Sequence, residues 1–391
     1  MNMGLRVCGV LLLVSTASAQ GIKIVSSLPR TGSANAQSST MVNGIRMALA
    51  EAGGKAGDFT VTYEDWDDAS PERGQWDPAV EAANADRAIA DPDVMVYIGT
   101  YNSGAAKIAM PKLNRAGLVM ISPANTYPGL TKPGTGEANE PGVYRPGGKT
   151  NYFRVVPADD VQGAAAARWA RQMGIKRVFI LHDRELYGKG LADVFKRTAG
   201  TLGLTVLGYE GIDGRAANYR SLIAKMRQGN PELVYFGGTT QNNAGQIVKD
   251  MVASGLTAKF MGPDGCFEQA FIEAAGRENA EGRAFLTFGG VPADKLTGKG
   301  KAFYEAYRVQ YKAEPEAYAV YGYEAARVAL EAIRRAGRKD RAAVLAAVAA
   351  TRNFDGALGA WSFDENGDTT LTVMSGNTVR NGKFEFVKIL E

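Results

Sequence analysis

Residues 94–128 read VMVYIGTYNSGAAKIAMPKLNRAGLVMISPANTYP. The stretch opens on a short apolar run, 94–98, stopped by Gly99. Residues 103–114 then begin with a hydroxyl suited to a helix start and keep helical spacing. Residues 118–121 are apolar again. Strand, helix and strand in such close succession predict two parallel strands joined by a crossover helix.

The same rhythm continues on both sides. Upstream, strands are predicted at 22–27 and 59–64, with helices at 43–51 and 78–90. Residues 131–150, rich in Gly, Pro and Glu, read as a surface loop. Beyond it the alternation resumes, with helices at 161–173, 188–202, 219–228 and 244–254. Strands at 177–182, 205–209, 233–236 and 258–261 lie between them. A strand at 284–288 and helices at 301–311, 317–336 and 340–350 follow. The tail, 370–391, alternates like strands broken at Arg380-Asn381-Gly382, the mark of a hairpin turn. The predicted class is α/β, with two doubly wound lobes built on parallel central sheets.

Composition narrows the function. The chain has 391 residues, 45% hydrophobic and 22% charged, with a net charge of +4. Basic and acidic side chains are interspersed, so no nucleic-acid surface is expected. Residues 1–19 read as a signal segment: Arg6, a short apolar run, then Ala17-Ser18-Ala19 as a cleavage site. A periplasmic or extracellular location follows as an expectation. Cys8 leaves with that segment, which makes Cys266 solitary and an internal disulfide impossible. With one histidine, His182, and no nucleophile elbow, Walker loop or nucleotide fingerprint, no enzyme, cofactor or metal site is expected. Asp65, Asp67 and Asp68 do not complete a calcium loop and read as a solvated turn facing a cleft.

Ligands of such folds bind beyond the carboxyl ends of the strands. Ser103 follows the 94–98 strand at a helix start, where N–H groups attract an anion; it serves equally as a plain cap. Ala124 and Thr126 follow the 118–121 strand in a turn stiffened by Pro123 and Pro128, a free backbone carbonyl near Ala124 being an acceptor for an ammonium. The alternative there is a rigid loop with its polar groups satisfied. Tyr187 follows the 177–182 strand and can cover a ligand, or be an ordinary core tyrosine. Thr239 follows the 233–236 strand. Asp264 follows the 258–261 strand and can pair with an ammonium, or be a turn aspartate before Gly265. Tyr101, Trp66 and Thr239 are candidates for the pocket walls.

Taken in order, several segments resemble the leucine/isoleucine/valine-binding protein family of bacterial ABC importers. They are Tyr63-Glu64-Asp65 with Asp67-Asp68-Ala69, Ile98-Gly99 with Ser103, and Met120-Ile121-Ser122-Pro123-Ala124. Further along stand His182-Asp183 with Tyr187-Gly188-Lys189-Gly190-Leu191, Val234-Tyr235-Phe236-Gly237-Gly238 and Phe260-Met261-Gly262-Pro263-Asp264-Gly265. The resemblance implies a type I periplasmic-binding fold with three interlobe crossings, near Arg154, Leu286 and Met374. The first lobe would then be 20–154 with 287–373, and the second 155–286 with 374–391.

The same resemblance implies roles. Ser103 and Thr126 would hold a ligand α-carboxylate, Ala124, Thr126 and Asp264 its ammonium, and Tyr187 would close over it. It also implies a membrane permease as partner and a receptor acting as a monomer. Thr239-Thr240 stand where leucine-type members tend to carry aromatics, and Asp264 is one methylene shorter than the Glu often seen there. A branched-chain amino acid is favoured, with an amide, urea or aromatic acid as the alternative. A ligand-sensing protein of the same fold is the competing role.

Overall fold

In the computed structural model, which describes residues 20–391, the chain forms two α/β lobes. The first sheet runs in the order Lys55–Ala56, Phe59–Asp67, Gly21–Leu28, Val94–Gly99, Val119–Ser122 and Tyr152–Arg154. Every pairing in it is parallel except that of the short edge strand Lys55–Ala56. Its central strands are buried on both faces, hence the unbroken apolar runs such as Val94–Ile98.

The second sheet runs in the order Thr205–Gly211, Arg177–His182, Leu233–Gly237, Lys259–Gly262, Ala284–Gly289, Met374–Arg380 and Lys383–Leu390. The first five strands are parallel. The last two form the hairpin read in the tail and join antiparallel. Asn381 and Gly382 both take positive φ, at 52° and 68°, as that tight turn requires.

The chain crosses between lobes three times. It leaves the first sheet after Arg154 and enters the helix Asp159–Gln172 of the second lobe. The strand Ala284–Gly289 stays in the second sheet to its end, so the return lies beyond Gly289 rather than at Leu286. The helix Ala319–Ala336 then packs on Asn35–Glu51 of the first lobe. Two glycines let these backbones touch: a Cβ on Gly44 would stand 2.2 Å from the Ala319 carbonyl, and one on Gly322 2.4 Å from that of Met41.

Residues 131–150 are a surface loop, as read, with one short 3-10 turn at Gly142–Tyr144. The peptide there contains a buried Glu140 that accepts from the hydroxyls of Tyr127, at 2.8 Å, and Tyr144. The expectation for Asp65, Asp67 and Asp68 needs correcting: they are not a solvated turn. Arg30 binds Asp65, the Arg30 N–H and Thr31 hydroxyl bind Asp67, and Asp68 is fully buried. Residues 1–19, with the signal segment, lie outside the described residues. Among the described residues no helix is long and apolar enough to cross a membrane.

Candidate functional site

Five strand-end turns converge where the lobes meet. Tyr101, Asn102, Ser103 and Ala124 of the first lobe face Tyr187, Thr239, Asp264 and Gly265 of the second around one cavity. Of the eight residues singled out from sequence, six line it. Thr126 is buried in the same turn as Ala124. Trp66 is not a wall: it is buried in the first-lobe core, its indole N–H donating to Glu64 at 2.9 Å. The cavity is about 20 Å³, enough for one water. A solute of amino-acid size enters only when the lobes part. Larger hollows exist, one of about 560 Å³ on the outer face of the first lobe. That one lies away from the strand ends of the cleft.

On the first-lobe side the turn offers N–H and hydroxyl donors. Ser103 is the first residue of the helix Ser103–Arg115, not its cap; Asn102 occupies the cap position, and neither side chain caps. The Ser103 Oγ lies instead 3.4 Å from the Tyr127 N–H. Its own N–H is one of the unpaired donors of a helix start, and the Thr126 N–H finds no acceptor among the described residues. Ser122 Oγ fixes the turn by accepting the N–H groups of Ala124 and Asn125, at 3.1 and 2.8 Å.

Arg154 holds the same turn from beneath. Its guanidinium is fully buried and donates to the carbonyls of Asn125 (3.2 Å) and Tyr127 (2.9 Å) and to Thr131 Oγ1 (2.5 Å). Asp368 accepts from Arg154 Nε at 2.7 Å and neutralises it. The attraction of Arg154 holds the Asp368 carboxyl below the usual carboxylate range, against the opposing and larger effect of burial. No free cation therefore faces the cavity from this cluster. The donors there are neutral dipoles.

The second-lobe side is acidic. Asp264 accepts from the Tyr187 hydroxyl at 2.8 Å and from the Tyr318 hydroxyl, and the Gly265 N–H donates to the Tyr187 oxygen at 3.1 Å. Burial pushes the Asp264 carboxyl up, and the tyrosine bonds work against that rise. The Ala124 carbonyl accepts no hydrogen bond among the described residues and stands across the cavity as a free acceptor. Thr239 gives its hydroxyl to Asn242, at 2.6 Å, so its methyl is what lies near Gly265.

Sequence reading missed Tyr318. It caps the helix Ala319–Ala336 and packs edge-on to Tyr101 at 6.1 Å. No local signal marks it, because its approach to Asp264 depends on how a remote segment crosses between lobes. Asn102 was also missed. Its amide donates to Gln241 Oε1 across the cleft at 3.1 Å.

The arrangement can hold a small dipolar solute: donors without charge for an anionic end, a carboxylate and a bare carbonyl for a cationic end. Its lining contains neither the buried Cys266 nor His182.

The profile of the family described as periplasmic binding protein matches residues 21–383. The Leu/Ile/Val-binding protein homolog 2 of Brucella abortus (strain 2308) is 31% identical over 376 residues, covering 94% of this chain and 93% of that protein. A crystal structure of a leucine binding protein, LivK, from Thermotoga maritima superposes with a TM-score of 0.82 at 28% identity, over 95% of this chain and 99% of that one. The branched-chain amino acid transporter substrate binding protein LivJ of Streptococcus pneumoniae, in complex with isoleucine, shares the fold with a TM-score of 0.80 at 24% identity, over 94% of this chain and 100% of that one.

Proposed function

The chain belongs to the periplasmic binding protein family, and from that membership we propose that it is the extracytoplasmic receptor of an ABC importer for an amino acid, branched-chain ones first. It is a binding protein and not an enzyme. One observation carries the choice of ligand: the neutral helix start at Ser103 and the Ala124 turn face a carboxylate, Asp264, across a cavity that residues of both lobes line.

The geometry supports a simple sequence of events. The ligand meets the open first lobe, its carboxylate on the Ser103 helix start and the Thr126 N–H. Closure brings Tyr187, Thr239 and Asp264 onto it and expels water. Asp264 and the Ala124 carbonyl take the ammonium. Closure is driven only by the extra contacts the closed form makes. The Thr239 methyl and the Tyr101 ring form an apolar wall suited to an aliphatic side chain. The closed receptor, acting as a single chain, is then what a membrane permease reads. An aromatic acid without an ammonium leaves Asp264 without its partner, which ranks that alternative second.

Calorimetric titration tests the reading with leucine against 4-methylpentanoate, the same skeleton without the amine. Leucine is expected to bind and the acid to bind at least tenfold more weakly, with Asp264→Asn removing most of that difference. Equal affinity for the two, in wild type, would reject the assignment of the ammonium to Asp264.

A further inference from the structure

The helix Asp159–Gln172 begins where the chain first enters the second lobe, and its first residue lies against the ligand turn. The Asp159 N–H donates to the Thr126 carbonyl at 2.9 Å. Its side chain is fully buried, and neither carboxyl oxygen accepts a hydrogen bond of good geometry. The Thr126 hydroxyl stands beside it. An ionised carboxylate without donors in such a place costs several kcal/mol. A helix start favours an acid, but the fields of first-turn N–H groups do not replace hydrogen bonds.

The groups that face Asp159 sharpen the point. Asp264 lies close enough to disfavour the charge of the Asp159 carboxyl, after the larger effect of burial. Tyr187 and Tyr235, from a neighbouring helix and strand, are neutral. Asp160, next in the helix, is bound by Lys132 at 2.8 Å. Arg154 is the cation that acts on Asp159, and Asp368 engages it. Of the two acids, Asp264 has two tyrosine donors in good geometry, whereas Asp159 has only the Thr126 hydroxyl beside it. The charge therefore rests on Asp264 and the proton on Asp159.

We propose that Asp159 is a second carboxyl of the ligand site, protonated in the ligand-free protein, and that a ligand ammonium entering beside Asp264 releases that proton to solvent. The inference rests on the amino-acid reading above and deepens it. The step balances: the Asp159 O–H bond breaks, the proton goes to buffer, and the ammonium brings the positive charge that the two carboxylates then share. Uptake becomes coupled to pH, with affinity rising as pH rises toward the value at which Asp159 ionises unaided.

Two measurements decide it. In the ligand-free protein, carbon NMR of aspartate-labelled chain should show one carboxyl, absent in Asp159→Asn, that ionises well above the ordinary aspartate range. An Asp159 signal in the ordinary range overturns the proposal whether or not any ligand binds. Calorimetry with leucine, in two buffers of different ionisation enthalpy near neutral pH, should show about one proton released per ligand in wild type and almost none in Asp159→Asn. Leucine binding without proton release in wild type overturns it equally. Absence of binding by any zwitterion would instead sink the transport reading, and the NMR result would still stand on its own.

Discussion

Gly190 of the second lobe lies flat against the Tyr127 ring of the first: a Cβ built on it would stand 2.6 Å from two ring carbons. The contact joins the helix Leu186–Thr201 of the second lobe to the first. Gly190→Ala puts a methyl into that space and improves an exposed helix by about 1 kcal/mol. Expected is an affinity for leucine lowered by about tenfold, roughly 1.4 kcal/mol, with ligand-free thermal stability unchanged or raised. Small-angle scattering should show a larger radius in the presence of ligand than for wild type. An unchanged affinity would mean the lobes close with room to spare there.

The pair of Arg154 and Asp368 is buried, so removing one partner strands the other. Arg154→Met is expected to destabilise by about 3–5 kcal/mol, read by chemical denaturation. The double variant Arg154→Met with Asp368→Leu should recover part of that loss. It should not recover ligand affinity, because the carbonyls of Asn125 and Tyr127 lose the donor that fixes the turn.

Stability should depend on pH in a defined sense. Burial raises the carboxyls of Asp183 and Glu268 to about 8 and that of Glu316 to about 7. Each folded-state value exceeds that of the unfolded chain, near 4. Their contribution is complete below about 4 and is lost as pH climbs through 7 and 8. Asp368 works the other way: its lowered carboxyl gives stability that disappears as pH falls through its folded value. Thermal melts from pH 4 to 9 should therefore peak on the acid side of neutrality, and Asp183→Asn should flatten the alkaline decline. A melting temperature rising steadily to pH 9 would contradict this.

Tyr318→Phe removes a hydroxyl from Asp264 without changing the shape of the wall. A hydrogen bond to a charged group contributes about 1.5–3 kcal/mol, so leucine affinity should fall by roughly tenfold to a hundredfold. The same change at Tyr321, whose hydroxyl binds the Gly289 carbonyl instead, should leave affinity within a factor of about three. Calorimetry on both variants makes the comparison.

The positions of Ser103, Ala124, Tyr187, Thr239 and Asp264 were legible because the physics is local. Parallel strands end at one face, and whatever follows each strand must sit there. Tyr318 and Asp159 were not legible for two different reasons. Tyr318 reaches the site only through the packing of a helix from far along the chain. Asp159 is one of two consecutive acids at a helix start, and that pattern suits a solvated helix end as well as a buried one. The anchoring of the 131–150 loop was hidden similarly, since a Gly- and Pro-rich composition does not reveal that Glu140 will be buried against two tyrosine hydroxyls. The length of the Ala284–Gly289 strand was short by one residue in prediction, a difference set by its antiparallel neighbour Met374–Arg380.

That neighbour arrives very late. Asp368, the two strands Met374–Arg380 and Lys383–Leu390, and the third crossing all come from the final stretch of polypeptide. Neither half of the molecule can be completed by a nascent chain that is still being made: Arg154 waits for its counter-ion, and Ala284–Gly289 remains an open, apolar edge liable to pair with other chains. A product ending before residue 374 should accumulate as aggregate rather than as a smaller working receptor.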